Sequence, residues 1–389
     1  MRVDYNVPLD DEGGITDSSR IEASIPTLRA LLDAGATIFL VSHLGRPKEG
    51  RDPEFSLRPV ADWLAARLER DVHLFQNLPG ESGFEEEARQ LSAGGVALLE
   101  NIRFSPGETK NDPGLARALA DLADVFVGDA FGVAHRAHAS NVGAAEVLVS
   151  RGGLALAGHL MEREVESLES KLADPARPFT AVMGGAKISG KIDAIEAILP
   201  RVDHLLIGGA MANTFFRALG LETGDSLVEG DRIELAHDLL ERGGDRIVLP
   251  IDCVVSEEIA RGAEALVRDR SEVSPGERIG DIGPQSRELF VRRIRESSTI
   301  LWNGPMGVFE FPAFREGTFD LARSMAEACD RGALVIVGGG DSAAAAIAAG
   351  VAERMSHVST GGGASLDLLA GKSLPGVEVL RAADGRGAP

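Results

Sequence analysis

The feature that most constrains the fold is a series of short apolar runs separated by amphipathic stretches. The amphipathic stretches include Ile25–Leu32 and Val60–Leu68. The apolar runs cover residues 36–41, 95–99, 125–128, 180–183, 204–207, 246–249, 299–302 and 334–337. Runs of this length joined by helices are typical of parallel strands that are buried on both faces. The sequence therefore predicts an α/β fold of doubly wound, Rossmann-like parallel sheets.

The length of the chain and the order of its runs predict two domains. A chain of 389 residues exceeds what one hydrophobic core usually supports. We expect an N-terminal domain over residues 1–158, a connecting helix over 159–173 and a C-terminal domain over 174–371. Ligands of open parallel sheets bind beyond the carboxyl ends of the strands. Two such domains would therefore face a central cleft.

Composition excludes several classes of function. The net charge of −20, from 60 acidic and 40 basic residues, argues against nucleic acid as a partner. No apolar run approaches the ~20 residues of a membrane span, and the first residues lack the apolar core of a signal peptide. Two cysteines do not make a disulfide framework. These features favour a cytoplasmic enzyme without a membrane partner.

Arginine recurs at the predicted strand ends of the first half. The segments concerned are Arg2–Pro8, Ser19–Ile21, Ser42–Pro47, Glu100–Phe104 and Gly128–His138, and two of them also carry histidine. Guanidinium is a planar, permanently charged group suited to phosphate and carboxylate. A single arginine is more often part of a surface ion pair, but five at strand ends predict a site for a small, multiply charged anion.

Two of the six lysines lie close together beside a glycine turn. Gly184–Lys191 follows an apolar run and precedes a helical pattern, and it contains Lys187 and Lys191. We expect these lysines to share one face of the helix, with backbone N–H groups of the turn open to an anion. From the spacing alone, an anion site and an ordinary strand-to-helix turn remain equally supported.

Further glycine turns follow strands in the second half, but none matches the P-loop or the G-x-G-x-x-G fingerprint. The turn over residues 338–342 enters an alanine-rich helix whose free N–H groups suit a phosphate. Asp341 within it has two interpretations, either as a Mg²⁺ ligand or as a plain helix N-cap. The string from Trp302 to Glu310 is too long and specific for a generic turn.

Taken in order, these motifs resemble phosphoglycerate kinase along nearly the whole chain. They are RVDYNVP, SHLGRP, ENIRF, GDAFGVAHRAH, GGAK, IGGAM, WNGPMGVFE, GGGDS and HVSTGGGAS. The resemblance implies reversible phosphoryl transfer between 1,3-bisphosphoglycerate and Mg-ADP, giving 3-phosphoglycerate and Mg-ATP. It also implies an N-terminal glycerate-binding domain, a C-terminal nucleotide-binding domain, domain closure during transfer, and a monomer. A C-terminal segment over residues 372–389 is expected to return to the N-terminal domain.

The resemblance assigns roles residue by residue. The glycerate-binding residues would be Asp4, Asn6, Arg20, His43, Arg46, Arg103 and Arg136. The nucleotide-binding residues would be Lys187, Lys191, Gly208, Gly209, Asn303, Glu310, Gly338, Gly339, Gly340, Asp341 and Ser342. The catalytic residues would be Arg20, Lys187, Gly339 and Gly340, and the ligand of Mg²⁺ would be Asp341.

Some departures and alternatives remain. Relatives usually carry several more residues ahead of Arg2, so either the start is assigned late or the first sheet is shortened. An NAD-dependent oxidoreductase is suggested only by the β/α order and the glycine turns, and its fingerprint is absent. A binding protein with both sites but poor catalysis is the other alternative.

Overall fold

The computed structural model describes residues 1–48 and 50–383, and it divides the chain into two compact units. Of the described residues, unit 1 contains Met1–Glu166 and Ser373–Ala383, without the undescribed residue 49. Unit 2 contains Ser167–Lys372. Residues 384–389 of the predicted returning segment lie outside the described residues.

The strands match the predicted apolar runs and add several that the sequence did not reveal. They are β1 (Arg2–Val3), β2 (Ile38–Leu40), β3 (Val72–Phe75), β4 (Val96–Leu99), β5 (Val125–Asp129), β6 (Leu154–Ala157), β7 (Phe179–Met183), β8 (His204–Ile207), β9 (Ile247–Val248), β10 (Asp252–Ser256), β11 (Leu266–Asp269), β12 (Arg278–Ile282), β13 (Thr299–Asn303), β14 (Leu334–Val337) and β15 (His357–Val358). Each of the eight predicted runs contains or overlaps an observed strand.

The α-helices lie between these strands, as the pattern predicts for an α/β fold. They are α1 (Ser19–Asp33), α2 (Arg58–Leu68), α3 (Phe84–Gln90), α4 (Pro113–Ala120), α5 (Ala144–Ser150), α6 (His159–Val165), α7 (Lys171–Ala173), α8 (Ile192–Ile198), α9 (Met211–Ala218), α10 (Ile233–Gly243), α11 (Pro284–Glu296), α12 (Glu316–Asp330), α13 (Gly340–Ala348), α14 (Gly362–Leu369) and α15 (Pro375–Ala383). A π-helical turn over Glu166–Ser170 joins α6 to α7. In the described part of the chain, no helix has both the length and the hydrophobicity needed to cross a bilayer.

Unit 1 is built on two three-stranded parallel sheets, in the orders β1-β5-β6 and β2-β4-β3. They are joined at the start of the chain, where the amide of Val3 donates to the carbonyl of Val41 over 3.0 Å. Side chains of β4 alternate between two cores, since Val96 and Leu98 face one and Ala97 and Leu99 the other. Burial on both faces explains why this strand is apolar throughout.

Unit 2 is built on a six-stranded sheet in the order β15-β14-β13-β7-β8-β9, in which every neighbouring pair is parallel. A second, antiparallel sheet in the order β11-β10-β12 was not predicted. The central strands β7 and β13 are buried along their whole length. The predicted α/β fold with parallel sheets is therefore confirmed, and the polar and glycine motifs follow the carboxyl ends of its strands.

Candidate active site

The segment after β1 is held to the first turn of α1 by an arginine. One terminal nitrogen of Arg20 lies 3.2 Å from Oδ2 of Asp4, and it also donates to the carbonyl of Asn6 over 3.1 Å. The side-chain oxygen of Asn6 accepts a hydrogen bond of 2.8 Å from the amide of Gly45. Three of the predicted glycerate-binding residues are thus brought together at one strand end.

His43 lies next to this group and is only 3% exposed. Its Nδ1 is 3.8 Å from Oδ1 of Asp4 and 3.4 Å from a terminal nitrogen of Arg2. Burial lowers the pKa of His43 well below its usual value, and the charges of Arg2, Arg103 and Arg20 lower it further. The imidazole is therefore neutral near pH 7, and it can donate a hydrogen bond to an anion without being a cation.

The remaining predicted arginines of unit 1 differ in how firmly they are held. Arg103 follows β4 and donates to the carbonyl of Gly45 over 2.6 Å. Burial lowers its pKa, and the nearby charges of Arg2 and Arg136 add to that shift. Arg136 is exposed and donates to His135 over 3.0 Å. Arg46 is exposed, and among the residues that the structure describes it has no hydrogen-bond or ion-pair partner.

Behind this cluster, a buried serine joins two opposite charges, Arg2 and Glu108. The sequence placed Arg2 among the five arginines of an anion site, but its guanidinium is buried and hydrogen-bonded within unit 1. The guanidinium of Arg2 donates to the hydroxyl of Ser140 over 2.8 Å, and that hydroxyl donates to Glu108 over 2.7 Å. Glu108 is 1% exposed, and its negative charge opposes the loss of charge on Arg2. Nothing in the local spacing pointed to Glu108.

In unit 2, the turns after β7, β8 and β13 interlock through backbone hydrogen bonds. The amide of Gly185 donates to the carbonyl of Pro305 over 2.9 Å, and the amide of Gly209 donates to the carbonyl of Met306 over 3.0 Å. Gly209 has φ of +65°, and a Cβ there would lie 2.5 Å from the amide nitrogen of Gly185. Only glycine fits this position. Gly208, beside it, is buried against Met306.

The two lysines of the Gly184–Lys191 turn are not on a helix face, because α8 begins only at Ile192. The expectation of a shared face is wrong. The ammonium of Lys191 donates to the carbonyls of Gly184 and Asn303 over 2.7 and 2.9 Å, across the ends of β7 and β13. Burial lowers the pKa of Lys191 to about 8, and Asp341 opposes this shift. Lys187 is exposed, and within residues 1–48 and 50–383 it has no hydrogen-bond or ion-pair partner.

Two backbone N–H groups of this turn, those of Ile188 and Ser189, are not free for an external anion. The carboxylate of Glu229 accepts hydrogen bonds from the amides of Ile188 and Ser189, the second over 3.2 Å, and from the hydroxyl of Ser189. The sequence suggested an anion site here, and the anion that fills it is a side chain of the same unit. Glu229 lies far from the turn in sequence, so no local motif could reveal it.

The glycine turn after β14 leads directly into α13. Gly339 occupies the N-cap position with φ of +98°, and Asp341 is already inside the helix. The N-cap interpretation of Asp341 is therefore wrong. Ser342 is buried, and its hydroxyl accepts from the amide of Gly304 over 2.6 Å and donates to the carbonyl of Gly338 over 2.9 Å. It links two of the turns.

Asn303 lies behind the same turn. It is 2% exposed, and its side-chain nitrogen has no hydrogen-bond partner among the described residues. A Cβ added at Gly338 or Gly339 would lie 3.4 or 3.3 Å from this nitrogen. A buried amide donor without a hydrogen-bond partner lowers the stability of the fold. Such unpaired donors are typical of binding sites.

A cavity of about 670 Å³ opens beside these turns within unit 2. Its volume is in the range of nucleotide and cofactor sites. Of the predicted nucleotide-binding residues, Gly209, Glu310 and Asp341 line its wall. Met306, Val308 and Phe309 supply apolar surface. The cavity therefore combines an apolar region with carboxylates and glycine backbone.

Comparisons with known proteins agree with the resemblance drawn from the motifs. The family model for phosphoglycerate kinase matches residues 1–372. A phosphoglycerate kinase of Chloroflexus aurantiacus is 51% identical over 389 residues, covering 99% of this chain and 96% of its own. One of Thermus thermophilus is 53% identical over 384 residues, covering 98% and 96%.

Solved structures agree as well. The phosphoglycerate kinase of Coxiella burnetii superposes with a TM-score of 0.84 at 40% identity, covering 98% of this chain and 95% of its own. That of Pyrococcus horikoshii superposes with a TM-score of 0.86 at 30% identity, covering 99% and 96%. The chain therefore belongs to the phosphoglycerate kinase family.

Proposed function

We propose that the arginine cluster of unit 1 binds 3-phosphoglycerate and 1,3-bisphosphoglycerate, and that the cavity of unit 2 binds ADP and ATP. As a member of its family, the chain is a glycolytic phosphotransferase with a carboxyl group as acceptor. It transfers a phosphoryl group reversibly from 1,3-bisphosphoglycerate to ADP. We further propose that it acts as a monomer in the cytoplasm.

The observation that carries the proposal for unit 1 is the concentration of positive charge. Arg2, Arg20 and Arg103 are close enough to lower the pKa of His43, and Arg136 is close enough to lower that of Arg103. This cluster lies in a protein of net charge −20. Such a local excess supports binding of a small, multiply charged anion. Asp4, Asn6 and Arg46 would complete the glycerate site.

In unit 2 we assign the phosphates to the turns and the nucleoside to the cavity. Lys191 and Asn303 would bind phosphate oxygens, because each presents nitrogen donors at the strand ends. Gly338, Gly339 and Gly340 would bring N–H groups to the phosphates at the start of α13. Gly208 and Gly209 would border the base, and Glu310 would accept hydrogen bonds from the ribose.

Asp341 fits the role of a Mg²⁺ ligand. It is exposed on the cavity wall, and in the described part of the chain its carboxylate has no hydrogen-bond or ion-pair partner. Mg²⁺ typically takes one or two carboxylates and completes its shell with phosphate oxygens and water. When bound, Mg²⁺ neutralises charge on the nucleotide phosphates.

Phosphoryl transfer depends on positioning of the substrates and neutralisation of charge more than on proton transfer. The acceptor is already an anionic oxygen, so no general base is required. We assign Arg20 and Lys187 to the transferring phosphoryl group, where negative charge is spread over three oxygens in the transition state. The transfer step requires the two units to bring their substrates into contact and to exclude water.

The first prediction tests these assignments with Arg20→Ala and Lys187→Ala in a coupled assay of ATP formation. We expect kcat to fall by about 100-fold or more in each variant, because each removes a cation from the transition state. The affinity for 3-phosphoglycerate, measured by calorimetry, should change far less in Arg20→Ala than kcat does. Lys110→Ala, at an exposed lysine, is the control. Equal losses of kcat and affinity in Arg20→Ala would contradict a transition-state role.

A further inference from the structure

Glu229 holds the segment of unit 2 that carries Lys187, a lysine with no hydrogen-bond or ion-pair partner among the described residues. Its carboxylate binds the backbone of Ile188 and Ser189 and the hydroxyl of Ser189. Lys187 is the residue immediately before these two. The side chain of Ile188 is fully buried, so the turn is held by an apolar contact on one side and by Glu229 on the other.

Glu229 is itself firmly placed. Its amide donates to the hydroxyl of Thr214 in α9 over 3.1 Å, and Thr214 is 1% exposed. The side chain of Asn213 donates to the carbonyl of Leu227 over 3.1 Å. The hydroxyl of Ser226 accepts from the amide of Ile279 in β12 over 2.9 Å.

The loop that carries Glu229 also borders the nucleotide cavity. Ser226 and Leu227 line that cavity, as do Asn213 of α9 and Ile279 of β12. A displacement of this loop would therefore reach both the cavity wall and the turn that bears Lys187. Hydrogen bonds of this loop to α9 and β12 therefore connect the wall of the proposed nucleotide cavity to the turn that Glu229 holds.

We propose that Glu229 is a positioning residue for phosphoryl transfer, which holds the Ile188–Ser189 backbone so that the ammonium of Lys187 meets the transferring group. This inference rests on the proposed role of Lys187. Because the carboxylate of Glu229 already accepts hydrogen bonds from these amides, it would repel a phosphate from the same N–H groups. Lys187 thereby stays available to the moving phosphoryl group.

The test compares Glu229→Ala and Glu229→Gln with the parent full-length chain. Since a misplaced catalytic group loses most of its effect within an ångström, kcat should fall by about 100-fold in Glu229→Ala. Glu229→Gln keeps one acceptor oxygen, so we expect its kcat to be about tenfold higher than that of Glu229→Ala. KM for 3-phosphoglycerate should stay within about twofold of the parent value. Glu234→Gln removes a nearby exposed carboxylate and should behave as the parent.

A double-mutant cycle with Lys187→Ala distinguishes the possible failures. If Glu229 acts through Lys187, Glu229→Ala should reduce kcat much less in the Lys187→Ala background than in the parent. Equal reductions in both backgrounds, or an unchanged or higher kcat in Glu229→Ala alone, would overturn the inference. An unchanged kcat in Lys187→Ala alone would instead refute the proposed role of Lys187 in the transfer step. Thermal melting and calorimetric ADP binding show whether each variant is folded.

Discussion

Charged side chains at both candidate sites are partly or fully buried, and each is held by backbone carbonyls or by an opposite charge. Arg2 and Glu108 are each 1% exposed and lie near one another behind the predicted glycerate-binding residues. Lys191 binds two carbonyls at the ends of adjacent strands. Burial of a charge costs stability unless its partners are well placed. These side chains therefore hold the strand ends of both candidate sites in place.

Lys191 gives a pH prediction at this scale. Because the pKa of its ammonium is lowered to about 8, the free enzyme loses this charge as the pH rises through that value. If Lys191 binds nucleotide phosphate, KM for ADP should rise between about pH 7 and pH 9. Steady-state kinetics across this range provide the measurement. Lys191→Met should show a raised KM with a flatter profile, and a parallel rise in both proteins would contradict the assignment.

Many of the motif residues could be found from the sequence because they lie directly after an apolar run, although Arg20 lies in the first turn of α1. Asp4, His43 and Arg103 follow strands that local patterning predicts or suggests. Glu108 and Glu229 were not found, because their partners are distant in sequence and a lone glutamate carries no pattern. Predicting them would require the tertiary packing itself.

At the scale of elements, strands that are buried on both faces could be predicted from the sequence, whereas partly exposed strands could not. Long apolar strands such as β7 and β13 were predicted because burial on both faces demands hydrophobic residues. The strands β11 and β12 were missed, since β11 is largely exposed and β12 is exposed at its start. Short strands with mixed polarity show no clear periodicity of hydrophobic residues in the sequence. They form here because β10 pairs with both of them.

The interlocked glycine turns give a prediction at the element scale. Gly209→Ala would place a Cβ 2.5 Å from a backbone nitrogen at positive φ. We expect a loss of about 3 kcal/mol or more in the free energy of unfolding, together with weaker ADP binding. Gly220 also has a positive φ, of +76°, but a Cβ added there would have no neighbouring atom within 4 Å. Gly220→Ala therefore measures the cost of the backbone conformation alone. That cost should be about 1 kcal/mol.

Denaturant unfolding and calorimetry with ADP measure the two effects. Similar losses in Gly209→Ala and Gly220→Ala would mean that strain at positive φ, and not the close approach of the turns, accounts for the result.

At the scale of the whole molecule, unit 1 is assembled from two separate parts of the chain. The helix α15 follows all of unit 2 in sequence, yet its Leu380 is 5% exposed and packs near Gly128 of β5. A Cβ on Gly128 would lie 2.9 Å from a methyl group of Leu380. The core of unit 1 thus depends on residues that come after unit 2.

Leu380→Ala tests this dependence. Removing a buried leucine side chain should cost unit 1 about 2–4 kcal/mol. Hydrogen exchange should therefore accelerate in β5 and β6 and stay unchanged in β7 and β13. Leu369→Ala, at a leucine of α14 that is 2% exposed, should show the reverse pattern. Acceleration in the same strands for both variants would contradict separate stabilisation of the two units.

The split of unit 1 has a consequence for synthesis on the ribosome. Domains usually fold as they emerge, with the N-terminal one first. Here residues up to Glu166 leave the ribosome long before α15, so the nascent unit 1 lacks the helix that covers β6. Unit 2 is continuous in sequence, and all of its strands are available earlier. The first half of this polypeptide is therefore the last to reach its complete native packing.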